Sequence, residues 1–140
     1  MIDYDKFEKA LKHLQLQFVN YQQLDQRPEL SEIDREAIAE SVIQRFETCY
    51  DMLWKHLKRY LIAELGLPEV PNSPKPVFRL AAENNLFRAT VESWLRYADA
   101  RTGTAHDYSG EKAQACLDLM DAFLDEAVDL FQTLTGKTWE

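Results

Sequence analysis

Residues that interrupt helices are scarce in this chain: 4 Gly and 5 Pro in 140 positions, with four of the prolines gathered between Gly66 and Pro76. That scarcity predicts long, unbroken helices, and strand-like alternation of apolar and polar residues is nowhere convincing. Cysteine is equally sparse. Cys49 and Cys116 stand alone inside apolar helical patterns, so no disulfide framework is expected and both read as buried free thiols. No apolar run approaches the roughly 18 residues that a membrane span needs. The N-terminus is charged from its third residue, unlike a secretory leader, so a reducing cytoplasm is the expected setting and no membrane the expected partner. Positive charge is also in deficit, with a formal net charge of -8. A protein that grips nucleic acid over its whole surface is normally basic. DNA is therefore not an expected partner, and any RNA contact must be confined to a local patch.

What is present is the balance of a folded, soluble domain: 46% hydrophobic and 29% charged residues, in a chain long enough for one domain over 1–140 with a real core. Phe7, Leu11, Leu14, Phe18 and Tyr21 follow the three-and-four spacing of an amphipathic helix, with Asp3 as its N-cap. Residues 25–30 form the first turn. Ser31 then caps a second helix reaching Leu65, with Asp34 three positions on in a capping-box arrangement. Ile38, Val42, Phe46, Cys49, Leu53, Leu57 and Tyr60 make its main stripe, and Ile43, Tyr50, Trp54 and Leu61 a second face. The proline cluster ends that helix and makes a crossover. Ser73-Pro74 starts a short helix carrying Val77, Leu80 and Ala81, and another helix follows with Phe87, Val91, Trp94, Leu95 and Ala98. The last helix begins near Ser109, with Ala113, Leu117, Met120, Leu124, Ala127, Phe131 and Leu134 in register. The expected fold is all-α, an up-and-down bundle of four or five helices with a long second helix.

One short stretch carries chemistry. "ARTGTAHDYSG", residues 100–110, holds Arg101, His106 and Tyr108 around Gly103. On one continuous helix Arg101 and His106 would lie about 140° apart. A break at Gly103 with a new cap at Ser109 lets all three face one cleft at the end of the bundle. An arginine, four residues, a histidine, a spacer and a tyrosine arise by chance about 0.01 times in such a composition. The plain alternative is a surface turn in which His106 caps and Arg101 pairs with Asp99 or Asp107. Chemically, His106 titrates near neutrality and can move a proton, while the Arg101 guanidinium suits charge building on a phosphoryl group. Tyr108 adds a hydroxyl at the same entrance, and Thr102 and Asp107 flank the motif as supporting groups.

Other candidates are weaker. Lys55, His56, Lys58 and Arg59 form a basic cluster on an acidic chain. A phosphate patch there competes with an ordinary solvated face. Glu47 and Asp51, four residues apart, face away from the main stripe and read as surface or partner-facing rather than as a catalytic pair. His13 and His56 read as surface residues, and Trp54 and Trp94 as core or interface anchors. Asp3-Tyr4-Asp5 lacks the upstream glycine, serine and strand of a transferase metal site, and reads as a helix cap. From residue 111 onward seven acids face two lysines, a solvated helical face. No metal-ligand cluster is visible, and no cofactor is expected.

The run "SPKPVFRLAAENNL…SWLRYADARTGTAHDY", with "SVIQRFETCYDMLWKHLKRYL" upstream, resembles the nucleotidyltransferase substrate-binding protein family of the HEPN superfamily over roughly residues 5–135. The most specific parts are Ser73-Pro74, Trp94 and Arg101…His106…Tyr108. The resemblance implies a helical bundle that dimerises and pairs two copies of the motif. It also implies a minimal nucleotidyltransferase encoded alongside as its binding partner. Many such pairs are toxin–antitoxin modules in which the bundle is a metal-independent ribonuclease and the motif tyrosine can receive AMP. Where the family commonly has Asn after the motif arginine, this chain has Thr102. That departure bears on nuclease competence and leaves the substrate-binding role untouched.

Overall fold

The computed structural model describes residues 2–105 and 107–140, and among them every regular element is helical. Five α-helices run α1 Asp5–Gln22, α2 Glu32–Ala63, α3 Pro74–Glu83, α4 Val91–Gly103 and α5 Gly110–Thr135, with one 3₁₀ turn at Leu24–Gln26. The all-α bundle expected from periodicity is the fold observed. No described helix is long and apolar enough to cross a membrane.

The sequence signals set the helix ends. Ser31 Oγ accepts from the Asp34 backbone N–H at 3.2 Å, and Asp34 Oδ2 accepts from the Ser31 N–H at 3.3 Å, the reciprocal capping box. At 32 residues, α2 runs about 48 Å. It stops where Gly66 takes φ +63° and the prolines begin. α3 opens on Pro74, where a missing N–H costs nothing, and α5 ends on Gly136 at φ +73°, whose N–H returns to the Gln132 carbonyl. One cap differs from expectation, and the other two stand at the expected positions. Tyr4, not Asp3, is the N-cap of α1, and Asp3 Oδ1 instead accepts from the Asp5 N–H one step in. Ser73 and Ser109 hold the cap positions in extended backbone, without a capping side-chain bond.

The long α2 is the spine. α1 folds back along it, α3 and α5 pack on its other sides, and α4 lies on α3 and α5. Phe46, Trp94, Tyr97 and Phe123 knit α2, α4 and α5 through edge-to-face contacts, Phe46–Phe123 at 5.0 Å and Tyr97–Phe123 at 5.1 Å. Cys49 and Cys116 are buried and unpaired, and burial pushes the Cys116 thiol up to about 12. Trp94 is core, as expected. Trp54 sits at the rim, half-buried beside the Lys55 ammonium. His56, expected at the surface, is instead buried: Nδ1 lies 2.7 Å from the Met52 carbonyl and Nε2 3.1 Å from the Asp3 carbonyl, tying α2 to the N-terminal segment. A neutral imidazole carries one N–H, so it donates to one of these two carbonyls at a time. His13 is exposed, as expected.

Candidate functional site

α4 delivers Arg101 in its last turn and α5 begins just beyond Tyr108, so the α4–α5 turn folds over the middle of α2. There the side chains meet Glu47. Arg101 Nη1 donates to Glu47 Oε2 at 3.0 Å, while its Nε and Nη2 donate to the two oxygens of Asp51, each at 3.2 Å. Tyr108 donates to Glu47 Oε1 at 2.6 Å. Thr104 Oγ1 donates to Glu47 Oε2 at 2.9 Å and also lies 3.2 Å from the Ala100 carbonyl. One carboxylate thus accepts from three side chains spread over eight residues of the turn.

Burial grades the cluster. The Glu47 side chain is 10% exposed, Arg101 29% and Asp51 40%. A carboxylate so buried is tolerable only because every lone pair it presents inward meets a donor. The Asp51 hydrogen bonds, with the nearby Asp51 and Glu47 charges, raise the Arg101 pKa against the opposing effect of burial. The Glu47 hydrogen bond raises the Tyr108 pKa, so its phenol is neutral at physiological pH. Two carboxylates face one guanidinium, leaving the cluster one formal negative charge.

Of the residues singled out from sequence, Arg101 and Tyr108 are brought together through Glu47. His106, between them in the chain, lies outside the described residues. The acids nearest Arg101 in sequence are engaged elsewhere: Asp99 pairs with Lys75 at 2.6 Å, and Asp107 accepts from Ser109 Oγ at 2.7 Å. The Ser109 bonds hold the Asp107 carboxyl below the usual range and fix the entry to α5. Thr102 is exposed and turns its hydroxyl back to the Ala98 carbonyl at 3.1 Å. It lines a separate groove between α4 and α5 with Arg96 and Lys112. Lys58 donates to Asn72 at 2.9 Å, Lys55 lies by Trp54, and Arg59 faces the N-terminal segment. With His56 buried, the basic cluster is split, and among the described residues none of it bonds to the Arg101 group. Among the described residues no three metal-ligating side chains are grouped to hold an ion.

Glu47, read from sequence as surface or partner-facing, is instead buried, and Thr104 is not among the residues singled out from sequence. The main stripe of α2 leaves Glu47 outside it, yet Glu47 falls in the i, i+4, i+7, i+11 series Ile43, Glu47, Tyr50, Trp54, the second buried face of α2. A lone acid in that register is the available signal for a buried partner. Thr104 is fully buried, and nothing in its sequence context announces this.

Comparison with known proteins gives this geometry a family. Residues 2–136 match the family described as nucleotidyltransferase substrate binding protein like. The chain belongs to that family. It is 29% identical over 107 residues to the Haemophilus influenzae protein named probable ribonuclease HepT, covering 75% of this chain and 73% of that one. A crystal structure from Thermus thermophilus is 28% identical, with a TM-score of 0.74 over 92% of this chain and 98% of that one. A Haemophilus influenzae structure, described as revealing the fold of a substrate binding domain of a nucleotidyltransferase, is 25% identical. It superposes with a TM-score of 0.84 over 94% of this chain and 98% of that one.

Proposed function

We propose that this chain is the HEPN-type partner of a minimal nucleotidyltransferase and, free of that partner, a metal-independent endoribonuclease, the toxin half of a toxin–antitoxin pair. It acts as a cytoplasmic homodimer of one bundle domain, two α4–α5 turns forming the cleft. The observation that carries this reading is the convergence of Arg101 and Tyr108 on Glu47 across the turn that bears His106. Family membership and the name of the Haemophilus relative support it.

Cleavage follows from the chemistry of these groups. His106 takes the proton of a ribose 2′-hydroxyl, and the 2′-oxygen attacks the adjacent phosphorus. The P–O5′ bond breaks, leaving a 2′,3′-cyclic phosphate. The departing 5′-oxygen takes a proton from the second copy's imidazolium. Arg101 stabilises the extra charge on the phosphoryl oxygens. Tyr108 orients the strand; in the partner complex its oxygen attacks the α-phosphorus of a nucleoside triphosphate bound by the transferase, pyrophosphate leaves, and Glu47, hydrogen-bonded to the phenol, takes its proton.

A second reading, a substrate-binding subunit without nuclease activity, is favoured by one observation: the Arg101 guanidinium is already met by two carboxylates. Incubating the purified chain with RNA in the presence of a chelator tests the first reading. Cleavage lost in His106→Ala and in Arg101→Ala supports it, and intact RNA with the wild-type chain overturns it in favour of the second. Co-expression with the neighbouring nucleotidyltransferase tests the pairing that both readings share, and separate elution of the two chains on size exclusion defeats it. Mass spectrometry of the co-expressed chain shows whether Tyr108 gains AMP.

A further inference from the structure

A groove of about 410 Å³ runs between α1 and α2. Lys6, Lys9 and His13 line it from α1 and Arg45 from α2, and no acid is among its described lining residues. On α1 the three basic groups fall at i, i+3 and i+7, a single face, while Glu8 pairs with Lys12 on the opposite flank at 3.3 Å. Arg45 Nη1 lies 3.4 Å from His13 Nδ1, so the guanidinium donates to the imidazole and keeps its other N–H groups free for a ligand. Among the described residues, no carboxylate comes within ion-pair distance of Lys6, Lys9 or Arg45, although Asp and Glu outnumber Lys and Arg 24 to 16. Three uncompensated cations repel one another, and a bound anion removes that repulsion.

The groove adjoins the Arg101 cluster. Gln44 and Thr48 line it, and on α2 they lie about 60° and 100° around the axis from Glu47. A strand leaving Arg101 crosses one helix ridge to reach Lys9 and Arg45. We propose that this groove binds the phosphodiester backbone of single-stranded RNA. Lysine and arginine supply the charge and the fork that phosphates take, and Ser41, Gln44 and Thr48 offer hydrogen bonds to phosphate and sugar oxygens. The inference rests on the RNA reading above for what the strand meets next, but binding at the groove does not require cleavage.

The test is fluorescence anisotropy of a labelled, uncleavable 2′-O-methyl RNA of about 12 nucleotides against the full chain. Three neutralised phosphates give a salt slope of about −2, hence about 20-fold weaker binding between about 50 and 200 mM salt. Lys9→Glu and Arg45→Glu, both exposed positions, each weaken binding at least about fivefold and flatten the slope. Lys137→Glu, the same charge change on the tail beyond α5, leaves it nearly unchanged. Equal losses in all three variants, or no loss in the groove variants, overturn the assignment. So does equally tight, Lys9-dependent binding of ATP or of a poly-glutamate peptide. RNA binding lost in the groove variants of a chain that never cuts RNA upholds the groove and removes the nuclease. Cutting that needs Arg101 but ignores Lys9 and Arg45 does the reverse.

Discussion

Replacing Glu47 by Gln keeps the side chain's shape, removes its charge and turns one acceptor oxygen into an NH₂ donor. Glu47 meets three donors, Arg101 at 3.0 Å, Thr104 at 2.9 Å and Tyr108 at 2.6 Å. A glutamine offers one carbonyl oxygen, and its NH₂ meets either Tyr108, whose hydroxyl must turn and accept, or the Arg101–Thr104 pair, whose guanidinium cannot accept. Hydrogen bonds to a charged group contribute about 1.5–3 kcal/mol each, and breaking a fully buried ion pair costs about 3–5 kcal/mol. Arg101 keeps Asp51 and its side chain is 29% exposed, which puts the loss below the fully buried figure, at about 2–3 kcal/mol. For a domain of this size roughly 3 °C accompanies each kcal/mol, so Glu47→Gln should melt about 6–9 °C below the wild type by calorimetry. The α4–α5 turn should also lose protection in hydrogen exchange before the core does. A variant melting within about 1 °C of the wild type, with that turn still protected, would refute the view of Glu47 as the post on which the turn is hung.

Asp51→Asn is the contrasting change: its side chain is 40% exposed, so it should cost under about 1 kcal/mol in the same melt, while binding of the uncleavable RNA tightens about threefold as one negative charge leaves the phosphate's side of Arg101. Tyr4, pushed up to about 12 chiefly by burial, and Tyr50 and Tyr97, raised by burial, with Tyr108, raised by its Glu47 bond, should form tyrosinate later than a free phenol in an alkaline absorbance titration. Because these phenols ionise more readily unfolded, their share of stability is whole below about pH 10 and is lost as pH climbs through the folded values. Stability rising between about pH 10 and 12 would contradict this. Ser31→Ala removes the acceptor for the Asp34 N–H and should lower stability by about 1 kcal/mol, read as a melting shift of about 3 °C. An unchanged melting temperature would mean that the start of α2 frays freely.

How much of this was legible in the sequence depends on what each residue's neighbours are. Helix bodies and their order follow from local periodicity and from Ser31–Asp34, Gly66, the proline cluster and Gly136, all of which act within a turn of their own position. Arg101 and Tyr108 lie seven residues apart in the chain, close enough for the end of α4 and the entry to α5 to bring both to one place. Their shared acceptor was not legible. Glu47 is more than fifty residues away from both, and only the packing of α4 and α5 on α2 decides that its carboxylate meets them. His56 fails for the same reason: its two carbonyl neighbours, at Met52 and Asp3, come together only once the N-terminus lies against α2. The α1–α2 groove is of this kind too, since Lys9 and Arg45 are ordinary surface residues until the hairpin closes.

Arg101's two carboxylates have different standing, and the difference bears on how the site works. The Asp51 pair is the more exposed, with both contacts at 3.2 Å. Water and a phosphate compete with it on nearly equal terms. Glu47 is closer to Arg101, more buried, and held in turn by Thr104 and Tyr108, so a ligand that displaced it would strand a carboxylate in a nearly dry place. On the proposed reading, an incoming phosphate would take the Asp51 side of the guanidinium fork while Glu47 continued to aim it. The arginine would thus be oriented before any ligand arrived, and a phosphate would displace only the exposed carboxylate. That division separates the two substitutions above: loss of Glu47 unseats the turn, whereas loss of Asp51 leaves the turn in place and uncovers the charge.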